Sequence, residues 1–285
     1  MRNMTPYDLD HPFEVYKDTV ERKKDINEKK ELQSIERPIR NCYSLYDRFF
    51  VRNVLEHMPR SMVGVNHKAV LLCLYGSQTK TVKDFRKRFF EINPQTYNNL
   101  CPYCVINSSN TTEHILPKEQ YPEYAINVKN LIPSCGECNT AKGEIVLDKN
   151  RKKTVINFYT DILPDEQFLF VDITNNGRNL GFKYFLSNQN MKIYPALYAL
   201  IERHFATLHL LDRYDIKAIQ EFAEVRNMYT NENFADELQY DAFAAKQLRK
   251  CDLDVAEYGR NHWKVVLLRA CADSIVFKNH ILSLP

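Results

Sequence analysis

The sequence lacks several features that would place it in a special class of proteins. Only seven of its 285 residues are glycine, which excludes collagen-like and other fibrous chains. No apolar run approaches the roughly 20 residues that a membrane-spanning helix needs. The first residues, MRNMTPYDLDHPFEVYKD, include acidic residues where a secretory signal would have an apolar core. We therefore expect a soluble, cytoplasmic globular protein with no membrane partner.

A large excess of charge of one sign is also lacking, since the formal net charge is only +3 at pH 7. Two local basic clusters are nevertheless present, KTVKDFRKR from residue 80 and KNRKK at 149–153. Such clusters are commonly the solvated face of a helix or a turn. Their location on either side of a cysteine-rich segment also fits contact with nucleic acid.

Four of the eight cysteines form two CxxC pairs, Cys101 with Cys104 and Cys135 with Cys138. In a cytoplasmic chain this spacing predicts metal binding rather than disulfide bonds, the alternative being two unrelated thiol pairs. Four thiolates complete the tetrahedral coordination of zinc and leave no position for water, so such a site would be structural. The other cysteines are expected to be buried free thiols: Cys42, Cys73, Cys251 and Cys271.

Apolar residues repeat at three- and four-residue steps over residues 13–93 and again from Pro195 onward, which predicts helices in both regions. In the stretch VKDFRKRFFEI this spacing should place Val82, Phe85 and Phe89 on one helix face. Thr79 or Thr81 is expected to cap that helix.

Between the helical regions, KTVINFY, EQFLFVDIT and GFKYFLS are rich in β-branched and aromatic residues. They predict two or three antiparallel strands with a turn at Asn176-Gly177. We expect four regions in the chain: a helical region at 1–95, a metal-binding module at 96–150, a β-hairpin segment at 151–190 and a helical region at 191–285.

The segment between the CxxC pairs predicts a strand, a second strand and a helix. Residues 113–117, EHILP, alternate as a short strand that ends at proline, and NLIPSC forms a second candidate strand. Gly136 allows the chain to turn into a helix that begins within ECNTAKG. The junction would then hold a carboxylate, an imidazole and a carboxamide, a set suited to a hard divalent cation with a base beside it.

Six features follow one another in this segment. They are CxxC, an acid-His pair followed by proline, an asparagine before an apolar pair, a second CxxC, an asparagine directly after the last cysteine, and Lys-Gly three residues later. In these features residues 101–148 resemble the HNH, or ββα-metal, nucleases, in the branch with a four-cysteine zinc. The resemblance implies an α+β fold, mainly helical, with a central ββα-metal module and a small antiparallel β segment. It also implies metal-dependent hydrolysis of phosphodiester bonds in nucleic acid, with DNA as the expected substrate.

The resemblance also implies a role for each matching residue. His114 corresponds to the general base that takes a proton from the attacking water. Asn130 corresponds to the residue that orients this imidazole. Glu113 and Asn139 correspond to the protein ligands of one Mg²⁺ or Mn²⁺ at the scissile phosphate. This sequence departs from the family pattern in having Glu where Asp is more common and Asn as the final ligand, and two oxygen ligands favour magnesium over zinc.

Two lysines near the motif are candidates for holding phosphate oxygens. Lys142 follows Asn139 by one helical turn, and Lys118 lies close to the base in sequence. Each of these assignments has an alternative. Asn130 could cap a turn, Asn139 could only begin a helix, and both lysines could be ordinary surface residues.

Two alternative functions remain open from the sequence. One is a zinc-stabilised nucleic-acid-binding module without catalysis, which the cysteines and basic clusters alone would permit. The other is a nuclease subunit that stays silent until a partner protein activates it. HNH proteins with helical flanks resemble effector components of bacterial defence systems against phage, so such a partner could be a defence-system ATPase.

Overall fold

The computed structural model describes residues 1–7, 12–76, 79–177, 179–232 and 234–284. It divides the chain into two compact units, residues 3–163 and residues 164–285 together with residues 1–2. Both units are mainly helical and contain small two-stranded antiparallel sheets, so the predicted α+β class is confirmed. Within the described residues, no helix is both long and apolar enough to cross a membrane.

In the unit of residues 3–163, the helices precede the cysteine-rich segment. The helix that includes Tyr43, Tyr46 and Phe50 buries these three rings on one face because they are three or four residues apart. The helix that contains Val82, Phe85 and Phe89 buries all three, and Thr79 caps it, as the sequence predicted. The helices are α1 (Pro12–Glu21), α2 (Ile26–Ser34), α3 (Glu36–Val51), α4 (Met62–Asn66), α5 (Lys68–Leu72) and α6 (Lys80–Ile92).

The predicted strand-strand-helix order is present. Strand β1 (Thr111–His114) pairs antiparallel with β2 (Leu131–Ser134), and helix α7 (Gly136–Lys142) follows directly. The first strand begins two residues before the predicted start and ends at His114. Helix α7 ends at Gly143, whose φ of +52° suits a residue without a side chain.

The segment around the hairpin shares a core with the helices before it. The rings of Tyr46 and Tyr124 have centroids 5.0 Å apart, and Tyr43 lies 6.3 Å from Tyr124. The same buried cluster extends from Phe13 in α1 to Ile126. The module that carries the cysteines is therefore packed onto the N-terminal helices rather than folded as a separate body.

Of the three candidate strands that follow the cysteine-rich segment, the first, KTVINFY, is a loop. Residues 153–159 contribute a single bridge, from Lys153 to Leu147. The backbone N–H of Asn157 instead donates to the Asp161 carboxylate, and the Asn157 side chain accepts from the N–H of Tyr159. These side-chain bonds satisfy the backbone locally and compete with strand pairing.

The other two stretches form the hairpin of the second unit. Strand β3 (Leu169–Asn175) pairs with β4 (Leu180–Leu186), and the turn between them includes Gly177 at a φ of +89°. On β4, the buried Phe182 and Tyr184 alternate with the exposed Lys183. The helices of this unit are α8 (Pro195–Thr207), α9 (Leu210–Thr230), α10 (Glu237–Tyr258), α11 (Trp263–Asp273) and α12 (Ile275–Leu282). Helices α9 and α11 pack on the hairpin.

Two of the four cysteines outside the CxxC pairs are not buried as the sequence predicted. Cys251 and Cys271 are buried, but Cys42 is half-buried and Cys73 is exposed. Cys73 follows α5 directly, where the chain turns at the surface, so an apolar sequence context did not ensure burial.

Candidate active site and zinc site

The four cysteines of the CxxC pairs lie together. Their sulfur atoms are all within 4.8 Å of one another, and all four residues are buried. The Sγ atoms of Cys104 and Cys135 are 3.8 Å apart, too far for a disulfide bond. Zn–S bonds of about 2.3 Å in a tetrahedron place the sulfurs about 3.8 Å apart, so the cluster fits a structural zinc.

A residue of the cysteine cluster, Cys135, also caps the start of helix α7. The Sγ of Cys135 accepts the backbone N–H of Cys138, which satisfies one of the free donors of the first turn. Hydrogen bonding within the cluster, from Cys101 above all, lowers the pKa of Cys135 and lowers that of Cys104 to about 7. Burial raises the pKa of Cys101, and hydrogen bonding within the cluster raises that of Cys138. Thiolates are the form that binds zinc.

His114 ends β1 and is 6% exposed. Its Nε2 lies 3.0 Å from the carbonyl oxygen of Ala125, and its ring meets the ring of Tyr75 edge-on at 4.5 Å. A carbonyl only accepts hydrogen bonds, so Nε2 carries the hydrogen and Nδ1 keeps the lone pair. Burial lowers the pKa of His114 to about 4, so the ring is neutral near pH 7. The structure thus presents a neutral imidazole with one fixed tautomer.

Asn130 is fully buried, and its side chain makes four hydrogen bonds with described residues. Its Nδ2 donates to the carbonyls of Leu116 and Tyr124, and its Oδ1 accepts from the N–H of Leu116 and the hydroxyl of Tyr46. The sequence predicted a role for Asn130 in orienting His114, but the direct contact on the ring comes from Ala125. Because Ala125 follows Tyr124, the bond from Asn130 to the Tyr124 carbonyl connects its side chain to the loop that contacts the imidazole.

Glu113 and Lys142 form a buried ion pair. The Nζ of Lys142 donates to Oε1 of Glu113 at 2.7 Å and to the carbonyl of His114 at 2.9 Å. Burial raises the pKa of Glu113 although Lys142 opposes that shift. The expectation that Lys142 contacts phosphate does not agree with this position, because the ammonium is buried and already donates to two protein oxygens.

Asn139 lies on the same side of the hairpin as Glu113. Its Nδ2 donates to the Thr111 hydroxyl, and Thr111 and Glu113 project from the same face of β1. The Oδ1 of Asn139 accepts no hydrogen bond from the described residues. Oε2 of Glu113 is the carboxylate oxygen that Lys142 does not bind. A carboxylate oxygen and an amide oxygen are the donor types that Mg²⁺ prefers, so these two residues fit such an ion.

The predicted convergence of acid, imidazole and amide is realised only in part. Strand alternation directs Glu113 and His114 to opposite faces of the hairpin. Helix α7 covers the face of Glu113 and Asn139, while Tyr75 and Ala125 contact His114. Among the described residues, no hydrogen bond joins any two of the three side chains.

Lys118 lies at the surface near His114. Its ammonium pairs with Glu119 at 2.7 Å, and Glu119 also accepts from Lys68. The charge of Lys118 contributes to the lowered pKa of His114, after burial and alongside Lys142. Lys118 therefore remains accessible to a ligand in a way that Lys142 is not.

Residues far from the motif in sequence complete the site. Tyr75 packs on His114, and its hydroxyl donates to the carbonyl of Thr112. Arg86 donates to the backbone carbonyls of Ser109 and Thr111 at the start of β1. No sequence signal marked these two residues, because their roles depend on how α5 and α6 pack against the hairpin.

Comparison with known proteins adds a family match to this geometry. Residues 101–144 match a family model described as HNH endonuclease. The chain is 25% identical over 226 residues to Protein ea31 of Escherichia phage lambda, which covers 75% of each protein. It is 33% identical over 91 residues to Septu protein PtuB of Bacillus thuringiensis, which covers 30% of this chain and 34% of PtuB. No solved structure is significantly similar.

Proposed function

Because residues 101–144 form an HNH endonuclease domain, we propose that the chain is a metal-dependent endonuclease that hydrolyses phosphodiester bonds in DNA. The observation that carries the proposal is the state of His114 within the matched segment. The carbonyl oxygen of Ala125 lies 3.0 Å from Nε2 of this ring, so Nε2 carries the hydrogen and Nδ1 keeps the lone pair. A fixed neutral imidazole is the form that a general base requires.

In this proposal His114 accepts a proton from the attacking water at Nδ1. The Nε2–H bond to Ala125 stabilises the imidazolium that forms, because the hydrogen bond strengthens when the ring gains charge. Asn130 is a positioning residue, since it holds the carbonyl of Tyr124 directly before Ala125.

Glu113 and Asn139 would hold one Mg²⁺ or Mn²⁺. When bound, this ion supplies charge stabilisation to the leaving 3′ oxygen and to the phosphate. Lys142 holds the carboxylate of Glu113 in place and neutralises it where it is buried. Lys118 is the lysine that can contact a phosphate oxygen, because it is partly exposed and close to His114.

The experiment that tests the proposal is cleavage of supercoiled plasmid by the purified, zinc-loaded chain. We expect nicking or cutting with Mg²⁺ or Mn²⁺ and none without them. Asn139→Ala removes an amide oxygen and should raise the Mg²⁺ concentration needed for half-maximal activity. The control is Glu119→Gln, which changes an exposed carboxylate beside Lys118 and should leave the metal requirement unchanged.

An unsubstituted chain that binds DNA but does not cut plasmid, single-stranded DNA or RNA with either metal would contradict the proposal. The cysteine cluster would then support only a zinc-stabilised binding module, which has no use for a fixed His114.

A role in defence against phage is a second proposal, in which a partner protein such as an ATPase activates the nuclease. The similarity to the Septu protein PtuB supports it. We expect the purified chain alone to cut DNA slowly and its rate to rise when the partner is added. Full activity of a monomer, established by light scattering and a plasmid assay on the same sample, would contradict this dependence.

A further inference from the structure

An open pocket of about 280 Å³ lies in the unit of residues 3–163, outside the residues assigned above. One wall is the end of α1 and the turn after it, a second is the chain that follows α5, and the third is the start of α6. Basic residues line it in unusual density, and no acidic residue is among the lining residues: Thr19, Arg22, Lys23, Lys24, Cys73, Leu74, Thr79, Lys80 and Thr81.

The positive charge of the pocket is only partly neutralised. Arg22 pairs with Asp18 at 3.5 Å, and Lys23 pairs with Glu28 at 2.7 Å. Lys24 and Lys80 are exposed and form no ion pair within the part of the chain that the structure describes. Two cations from different elements thus face one concave surface without a protein counter-charge.

The backbone adds to this positive potential. Helix α6 begins at Lys80 and runs for 13 residues, and its first N–H groups are at the pocket. Such groups have no intrahelical acceptor and carry the positive end of the helix dipole. The hydroxyls of Thr19 and Thr81 are 2.8 Å apart, which ties α1 to α6 and fixes the width of the pocket.

The wall of the pocket adjoins, along the chain, a residue that contacts the candidate active site. Leu74 lines the pocket, and the next residue, Tyr75, packs its ring on His114 at 4.5 Å. Consecutive Cα atoms are about 3.8 Å apart, so the pocket wall and the imidazole contact belong to one short piece of chain. A polymer with a phosphate at His114 could therefore place a nearby phosphate in the pocket.

The larger pocket in the other unit does not share this character. It is also open, with a volume of about 330 Å³, but Asp165 and Glu166 line it together with Lys192 and Arg260. Its charges balance, so it offers no comparable attraction to a polyanion.

We propose that the basic pocket binds the phosphate backbone of the DNA substrate a few nucleotides from the bond that is cut, an inference that rests on the proposed function. Contacts of Lys24, Lys80 and the start of α6 with phosphate give affinity without reading base sequence. The pocket would hold the strand so that the scissile phosphate lies at His114.

The test measures binding of a labelled DNA duplex by the zinc-loaded full chain with His114→Ala, over a series of salt concentrations. Lys24→Glu/Lys80→Glu should weaken binding at least about tenfold and reduce the slope of log K against log salt by about 2, since each lost phosphate contact removes about 0.9. The control is Lys30→Glu/Lys250→Glu, which makes the same charge change at exposed positions on α2 and α10 outside the pocket. It should weaken binding less than about threefold.

A second readout uses Cys73, an exposed thiol in the pocket wall. DNA should slow alkylation of Cys73 by iodoacetamide and leave the rate at Cys42, which is outside the pocket, unchanged. Mass spectrometry measures both rates in one sample.

Equal losses of affinity in the two double variants, or unprotected Cys73 in a chain saturated with DNA, would overturn the pocket assignment while the nuclease proposal stands. Absence of both DNA binding and cleavage by the unsubstituted chain would overturn the proposed function and the pocket with it.

Discussion

The ammonium of Lys142 lies 2.7 Å from Oε1 of Glu113, and the two side chains are only 1% and 6% exposed. The pair joins helix α7 to strand β1 at the centre of the HNH segment. A buried ion pair brings little net stability, yet removing one partner leaves a charge without compensation in a region of low dielectric. The pair therefore fixes the position of Glu113, a proposed metal ligand. Removal of either partner should destabilise the hairpin.

Lys142→Met should destabilise the hairpin by about 3 kcal/mol, because it leaves the Glu113 carboxylate buried without a counter-charge. Hydrogen exchange of the amides in residues 111–142, followed by mass spectrometry, measures the local opening free energy. The double variant Glu113→Gln/Lys142→Met should lose clearly less opening free energy than the sum of the losses in Glu113→Gln and in Lys142→Met. A strictly additive double variant would show that the two side chains do not interact.

Cys135→Ser should release the zinc, since three thiolates no longer complete a tetrahedral site. The loss of zinc should also increase hydrogen exchange in α7, because the metal no longer ties the start of this helix to Cys101 and Cys104. Metal content is measured by mass spectrometry of the purified chain. Cys73→Ser, at an exposed thiol outside the cluster, is the matched control and should keep a full complement of zinc.

Asn130→Asp should lower kcat by about 100-fold with little change in KM. The substitution keeps the size of the side chain but turns an oxygen toward the carbonyls of Leu116 and Tyr124, which shifts the loop that holds Ala125. Small displacements of a catalytic group cost about this factor. Tyr46→Phe removes the hydroxyl that donates to Oδ1 of Asn130 and to the carbonyl of Lys129, but it keeps the bonds from Asn130 to the loop, so its effect should be much smaller. A rise in KM with unchanged kcat would contradict a positioning role.

The stability of the second unit should fall as the pH falls from about 6.5 toward 3. His262 is buried, its Nδ1 has no hydrogen-bond partner within the described residues, and burial lowers its pKa to about 3. The unfolded chain binds a proton near pH 6.5 and the folded chain does not, so the neutral ring contributes no pH dependence above 6.5 and costs stability below it. The slope from this group approaches about 1.4 kcal/mol for each pH unit.

Urea unfolding at pH 7 and pH 5 measures this effect. The single tryptophan of the chain, Trp263, is adjacent to His262 and reports on the unit by fluorescence. His262→Phe should show a smaller loss of stability between the two pH values than the unsubstituted chain. Parallel losses in the two proteins would assign the pH dependence to other groups.

Local sequence was sufficient to predict the strand-strand-helix order and the cysteine cluster. The CxxC spacing, Gly136 and the alternation around His114 act over a few residues, whereas the register that pairs Glu113 with Ile132 was not predicted. The buried face of α6 could also be predicted from the sequence, because its apolar residues are regularly spaced. The candidate strand at 153–159 does not form, because Asn157 and Asp161 provide other hydrogen-bond partners for the backbone.

The environment of the site could not be predicted from local sequence. Tyr75, in the chain after α5, contacts His114, and Tyr46 of α3 donates to Asn130, although both tyrosines are distant from the motif along the chain. The burial of Lys142 is also a tertiary effect, since a lysine at the end of a short helix is usually solvated. The resemblance assigns Asn130 to the orientation of the imidazole, whereas the loop of Tyr124 and Ala125 lies between the two side chains.

The central claim is that His114 is the general base of a nuclease. The most direct measurement is the rate of DNA cleavage by zinc-loaded His114→Ala, compared with the unsubstituted chain in the same Mg²⁺ or Mn²⁺ buffer. We expect that the unsubstituted chain cuts, that the variant is slower by about 100-fold or more, and that both contain equal zinc. Cleavage by the variant at the rate of the unsubstituted chain would contradict it.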